Sequence, residues 1–175
     1  MKIPLIFKKQ TPNTVPWKYI VIHSTQCIIG DKVTTLKKDS KKTVSIEKLK
    51  YIYGIQEKHY DLPFHYVIES IKDDYEIFVC QPIHSVCEHY NYLQNNSEMI
   101  HIGLVGDFQS VQMAVPRLYD VLAYRIIAPL MFTFRLNQSK IILHSEIDKT
   151  HPNCPGDLFF KSILMQRLQK FLARK

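Results

Sequence analysis

The sequence predicts an α/β domain, a central mixed β-sheet flanked by helices. Three observations point there. Short runs rich in β-branched and aromatic residues recur at 17–23, 64–68, 75–81, 99–105 and 140–143. Longer segments with helical spacing of apolar residues lie between or after them, at 45–59, 115–136 and 157–173. One pair of runs flanks Asp73-Asp74, which suits a hairpin turn and an antiparallel return. A mixed sheet with helices packed on it satisfies this order of elements.

Residues 1–16 contain three prolines and read as an irregular arm, so the folded domain is expected over 17–175. Trp17 to His23 alternates and forms the first strand. The polar, basic stretch 24–43 is a loop that carries an insertion. In 45–59, Ile46, Leu49, Ile52, Tyr53 and Gln56 share one helical face, with Gly54 inside it. Asp61-Leu62-Pro63 ends that helix. Phe64–Ile68 and Tyr75–Gln81 make the hairpin, and 82–98 is loop. Met99–Val105 is a strand that stops at Gly106-Asp107. Val115–Leu136 is a long apolar helix, with an irregularity expected at Pro129 because proline has no N–H to donate. Lys140–Leu143 is the last strand, and Asp157 is placed to cap a helix running to about Ala173.

Composition bounds what such a domain can be. The chain has 175 residues, enough for one domain with a real core. Apolar residues at 46% and charged residues at 22% match an ordinary globular protein. No apolar run approaches the ~18 residues of a membrane-spanning helix. The apolar stretch near the start, Ile3 to Phe7, is too short for a secretory signal. Synthesis in the cytoplasm is therefore expected, with another agent delivering the protein to any target outside. The formal net charge is +7 and the pI about 9.2, which draws the surface to polyanions such as nucleic acid, anionic lipid or bacterial wall polymers. Lysines concentrate between Lys32 and Lys50, where a solvated face explains them well. Aromatic interleaving there is slight, so no specific nucleic-acid partner is expected. The four cysteines, Cys27, Cys80, Cys87 and Cys154, are too sparse to demand a disulfide framework.

The residues that carry chemistry are two histidines and a cysteine. His23 ends the first strand run and His144 the last, and Cys154 follows in Asn153-Cys154-Pro155-Gly156. Two imidazoles and a thiolate are the kind of set that holds a catalytic zinc ion with its fourth position open. The chain has no C-x-x-C pair of the structural zinc type. These ligands come from far-apart points in the chain, so the site exists only after folding.

Four segments then carry a resemblance. They are Ile20-Val21-Ile22-His23-Ser24, Phe64-His65-Tyr66-Val67-Ile68, the run Ile100 to Phe108, and His144-Ser145-Glu146-Ile147 followed by Cys154-Pro155-Gly156. Over residues 17–160 the chain resembles the zinc-dependent N-acetylmuramoyl-L-alanine amidases, which include phage-type lysozyme amidases and catalytic peptidoglycan recognition proteins. The resemblance implies a recognition-protein-like fold, Zn2+ as cofactor, and His23, His144 and Cys154 as its ligands. It implies bacterial peptidoglycan as the partner and hydrolysis of the amide between N-acetylmuramic acid and L-alanine. It also implies a monomer acting on the cell wall after release, as in a phage lytic context. His89 falls where relatives line the substrate groove, and Phe64 and Asn95 are placed with it as substrate contacts, with Asn96 beside them. Glu146, two residues after a ligand, is a candidate to orient an imidazole.

Departures from the family are equally legible. Phage-type members carry a tyrosine at the position of Phe64. Others carry a glutamate on the strand at the position of Gly103, and many a lysine at that of Pro152. None of these devices is present here. His151 and Lys149, in the loop between two ligands, are the candidate catalytic substitutes, His151 foremost because imidazole exchanges protons near neutral pH. Two readings stay open at this stage: a hydrolase, and a non-hydrolytic peptidoglycan- or muropeptide-binding module that retains the zinc site.

Overall fold

The computed structural model describes residues 17–25, 62–72, 74–87, 93–109 and 114–173. The expected helix at 45–59, most of the loop at 24–43, and the arm at 1–16 lie outside these residues. Among these residues, five strands form one sheet: β1 (Tyr19–Ser24), β2 (Tyr66–Ile71), β3 (Asp74–Val79), β4 (Met99–Leu104) and β5 (Ile141–Leu143). Their order is β3-β2-β4-β1-β5. β1 runs parallel to both β4 and β5, β2 runs parallel to β4, and β3 alone is antiparallel, paired to β2. The mixed sheet is the one the sequence predicts. Ile71 pairs directly with Asp74, so Asp74 belongs to β3 and not to the turn, and Lys72 turns the chain with φ of 56°. The Asp74 carboxylate accepts from the Tyr75 amide and from Arg117.

The central strands β1 and β4 are buried on both faces, as central parallel strands are. Every residue of β4 is buried. On one face Ile20, Ile22, Tyr66, Ile68, Ile100, Ile102 and Leu104 join the large core. Among the described residues, two helices cover that face. The first, α1, joins α-helical Pro116–Asp120, π-helical Val121–Ile127 and α-helical Ala128–Phe134. It starts with Pro116 at its first turn, where a missing N–H costs nothing. The irregularity expected at Pro129 is the π segment just before it, where the Ala128 N–H reaches back to the Ala123 carbonyl. Arg135, with φ of 54°, closes the helix immediately before Leu136.

The last helix, α3, spans Lys161–Leu172 and buries Leu164 and Leu168. Phe160 occupies its cap position and donates its backbone N–H to the Tyr119 hydroxyl at 2.7 Å. Asp157 does not cap the helix as expected. It accepts instead from the Gln109 side chain at 2.9 Å, because the chain at Gly156–Leu158 is tied to the Phe108 segment first. At Gly156 φ is 135°, and a Cβ would lie 2.3 Å from the Phe108 carbonyl carbon. Only glycine allows that approach.

The opposite face of the sheet has a smaller core built on Val21, Phe64, Val67, Leu93 and Val105. Alternation along the strands sends His23, His101 and Gly103 to this face. It is here, toward the carboxyl ends of β1 and β5, that the polar buried residues gather.

Candidate metal centre

His23 lies at the carboxyl end of β1 and is fully buried. β5 ends at Leu143, and His144 opens a single helical turn, α2 (His144–Ile147). Because β5 pairs in parallel with β1, with Leu143 opposite Ile22, His144 emerges beside His23. Their ring centroids are 4.5 Å apart. The segment after α2 then folds back. The Ser145 N–H donates to the Cys154 carbonyl at 3.0 Å, and the Cys154 N–H to the His151 carbonyl at 3.2 Å. Cys154 is thereby returned to the end of β1, where the Ser24 amide donates to its sulfur at 3.4 Å. One ligand atom each of His23, His144 and Cys154 fall within 4.8 Å of one another.

A second group shares His144. The Asp148 carboxylate lies 3.3 Å from His144 Nε2 and 2.7 Å from His151 Nδ1. Burial pushes the Asp148 carboxyl up, but hydrogen bonds from the Thr150 hydroxyl, His151 and the Thr150 amide outweigh it and hold it down at about 2. Burial lowers His144 to about 4, against the pull of Asp148, so its imidazole is neutral at pH 7 and able to ligate. An ionised Asp148 beside Nε2 favours the proton on that nitrogen and leaves Nδ1 of His144 for a metal.

Asp148 was not singled out in the sequence. Its signal was there: it stands four residues after one predicted ligand and three before His151. Glu146, the carboxylate expected near the imidazole, points elsewhere. Residues 144–147 are helical and not extended, so Glu146 turns back to accept from the Leu143 amide and to pair with Lys161.

The other predicted residues scatter more. The His151 ring stacks on His144 at 5.3 Å and its side chain is 35% exposed, facing the site. Lys149 is exposed on the same loop. Phe64 is fully buried and set edge-on to His23 at 5.7 Å. Asn95 is exposed, with φ of 63°. Asn96 is buried, its amide engaged by His101 and the Cys87 carbonyl and not presented outward. His89 lies outside the described residues. His101 was also passed over, since a histidine inside an apolar strand run carries no local signal of its role.

A profile of the N-acetylmuramoyl-L-alanine amidase family matches residues 13–157. The chain belongs to that family. No curated protein sequence matches this amidase directly. Among solved structures it is similar to the Ph2119 endolysin from the Thermus scotoductus MAT2119 bacteriophage Ph2119. That likeness has a TM-score of 0.55 and 16% identity over 89% of this chain and 87% of the endolysin. It is also similar to the N-acetylmuramyl-L-alanine amidase AmiD from E. coli, solved with anhydro-N-acetylmuramic acid-L-Ala-D-gamma-Glu-L-Lys. There the TM-score is 0.52 and the identity 17%, over 91% of this chain and 60% of that one. At these identities the likeness is one of fold, and the fold is the single α/β domain the sequence predicts. Among the described residues, no helix of this amidase is long and apolar enough to cross a membrane.

Proposed function

We propose that this amidase cuts the bond between N-acetylmuramic acid and L-alanine in bacterial peptidoglycan with Zn2+ held by His23, His144 and Cys154. The observation that carries the proposal is the meeting of these three groups within 4.8 Å from distant parts of the chain. The donor set fits the ion: two imidazoles, one of them held neutral by burial, and a sulfur that receives a backbone N–H. Zinc bound there would supply a Lewis acid and would lower the pKa of a coordinated water to about 7.

The chain's own residues supply the rest. Asp148 receives the Nδ1 proton of His151 and so directs Nε2 of that ring away from itself. His151 then holds or delivers a proton at Nε2, the task left open by Phe64, Gly103 and Pro152. Lys149 adds positive charge on the same loop. Phe64 walls the His23 ring, and His89 and Asn95 are the proposed contacts for the glycan or stem peptide. The basic surface aids adhesion to anionic wall polymers. We read the protein as a monomer made in the cytoplasm that acts on the wall after release, with 17–175 as its catalytic domain.

The experiment is digestion of purified cell walls, with muropeptides identified by mass spectrometry. Products with free L-alanine amino termini, lost with a chelator and restored by zinc, are expected. A second reading, binding without cleavage, is favoured by Phe64 and Gly103, which lack the groups relatives use. Wall binding with no such products would establish it.

A further inference from the structure

The hydrogen bonds behind His23 determine where its protons sit. The Cys87 carbonyl can only accept, and it takes the Asn96 Nδ2–H at 2.9 Å. The Asn96 Oδ1 therefore faces His101 Nε2, at 2.8 Å, and requires a proton on that nitrogen. His101 Nδ1 is then an acceptor, and it lies 2.8 Å from His23 Nε2. His23 must donate from Nε2, so its Nδ1 is the unprotonated nitrogen. His101 itself is held from the other side. Its backbone N–H donates to His65 Nδ1 at 3.0 Å, and His65 Nε2 donates to the Ser85 carbonyl at 2.8 Å. His23, His65 and His101 are fully buried and Asn96 is 5% exposed, so water does not compete for these bonds.

We propose that His101 is a positioning residue: through the Asn96–His101–His23 chain it fixes His23 in the Nε2–H tautomer, with Nδ1 aimed at the metal. A ring nitrogen that binds a metal needs its lone pair bare, and the partner of the opposite nitrogen decides which one that is. A relay that ends on a backbone carbonyl leaves one solution, so the ligand is set before any ion arrives. This inference rests on the zinc reading above.

The test compares wild type with His101→Phe, His101→Gln and Asn96→Leu. Zinc affinity is measured by competition with a chelating dye, and the ring nitrogens of His23 are read by 15N NMR on zinc-free protein. Phenylalanine keeps the ring and loses the acceptor, so zinc affinity should fall about 10- to 100-fold and His23 should show mixed tautomers. Glutamine retains an acceptor oxygen and should recover part of the affinity. Asn96→Leu releases the His101 ring and should weaken zinc similarly, and it decides the matter if His101→Phe does not fold. Unchanged affinity in these variants overturns the inference while leaving the zinc site standing. Weaker affinity with His23 still wholly Nε2–H marks the role as structural and also overturns it. A wild type that binds no zinc overturns the metal reading and this inference together.

Discussion

The ring of Phe64 fills the space that a side chain at Gly103 would need. A Cβ built on Gly103 would sit 3.0 Å from three of its ring carbons. Gly103 pairs with His23 across β4 and β1, so this is the wall of the proposed metal site. The Phe64 ring thus occupies the space of one family device, a carboxylate at 103. Gly103→Ala should destabilise the protein by about 1–3 kcal/mol through overpacking. Phe64→Leu should relieve part of that cost in the double variant, a coupling readable from urea midpoints. Additive effects would show that the two positions do not compete for space.

Phe64→Tyr changes one atom at the edge of a ring that faces His23. If that hydroxyl reaches the reacting groups as it does in phage-type relatives, turnover should rise, by up to about a hundredfold. The ring is fully buried, so a hydroxyl without a partner would instead cost about 1–3 kcal/mol. Muropeptide release rates and thermal midpoints separate the two outcomes, and a slower, less stable variant would show that the positions do not match in role.

Removing the metal should remove both activity and stability. With zinc at a hundred times its dissociation constant, binding adds about 2.7 kcal/mol. For a chain of this size that is roughly 5–10 °C in Tm. Cys154→Ser and His23→Ala should lose stoichiometric zinc and become insensitive to chelator. A chelator-sensitive Tm in either variant would refute the assignment of that ligand.

Burial lowers His65 from 6.5 to about 4, and His144 likewise. Both rings stay neutral in the folded protein while the unfolded chain takes up protons below about 6.5. Their contribution is therefore complete above pH 6.5 and is lost as pH falls toward 4. For His65 the loss is on the order of 3 kcal/mol. Zinc-free protein should show falling urea midpoints over this window, and His65→Gln should flatten the slope. An unchanged slope in that variant would place the proton uptake elsewhere.

How much of this was legible in the sequence follows from what each feature depends on. The β-branched runs and the Asp73-Asp74 neighbourhood sufficed for the mixed sheet, because strand periodicity and hairpin turns are local. The three side chains that meet, His23, His144 and Cys154, could be picked out by residue type and by the strand-like runs that precede His23 and His144. Asp157 was misread as a cap because the Gly156 contact with Phe108 is long-range and takes the chain first. Glu146 was misread because His144 begins a helical turn and does not end a strand. His101 and Asn96 were invisible as a pair, since their roles arise only when the sheet sets His101 beside His23. His89 lies outside the described residues, so its predicted role rests on resemblance alone.

The pair formed by Asp148 and His151 makes the last prediction. His151 stacks on His144, a proposed ligand, is partly exposed, and is oriented by the Asp148 carboxyl, held down at about 2 and so ionised at neutral pH. A general acid or oxyanion partner needs that arrangement: fixed direction, one ring nitrogen open, and proximity to the metal. His151→Ala should lower kcat about a hundredfold or more without loss of zinc. Asp148→Asn keeps the size but not the charge, so the ring can turn or change tautomer, and kcat should fall by a smaller factor. His151→Ala in the Asp148→Asn background should then add little beyond His151→Ala alone, because both changes remove the same function. Multiplicative losses would instead mean that Asp148 acts through His144, and full activity in His151→Ala would assign the proton to another group.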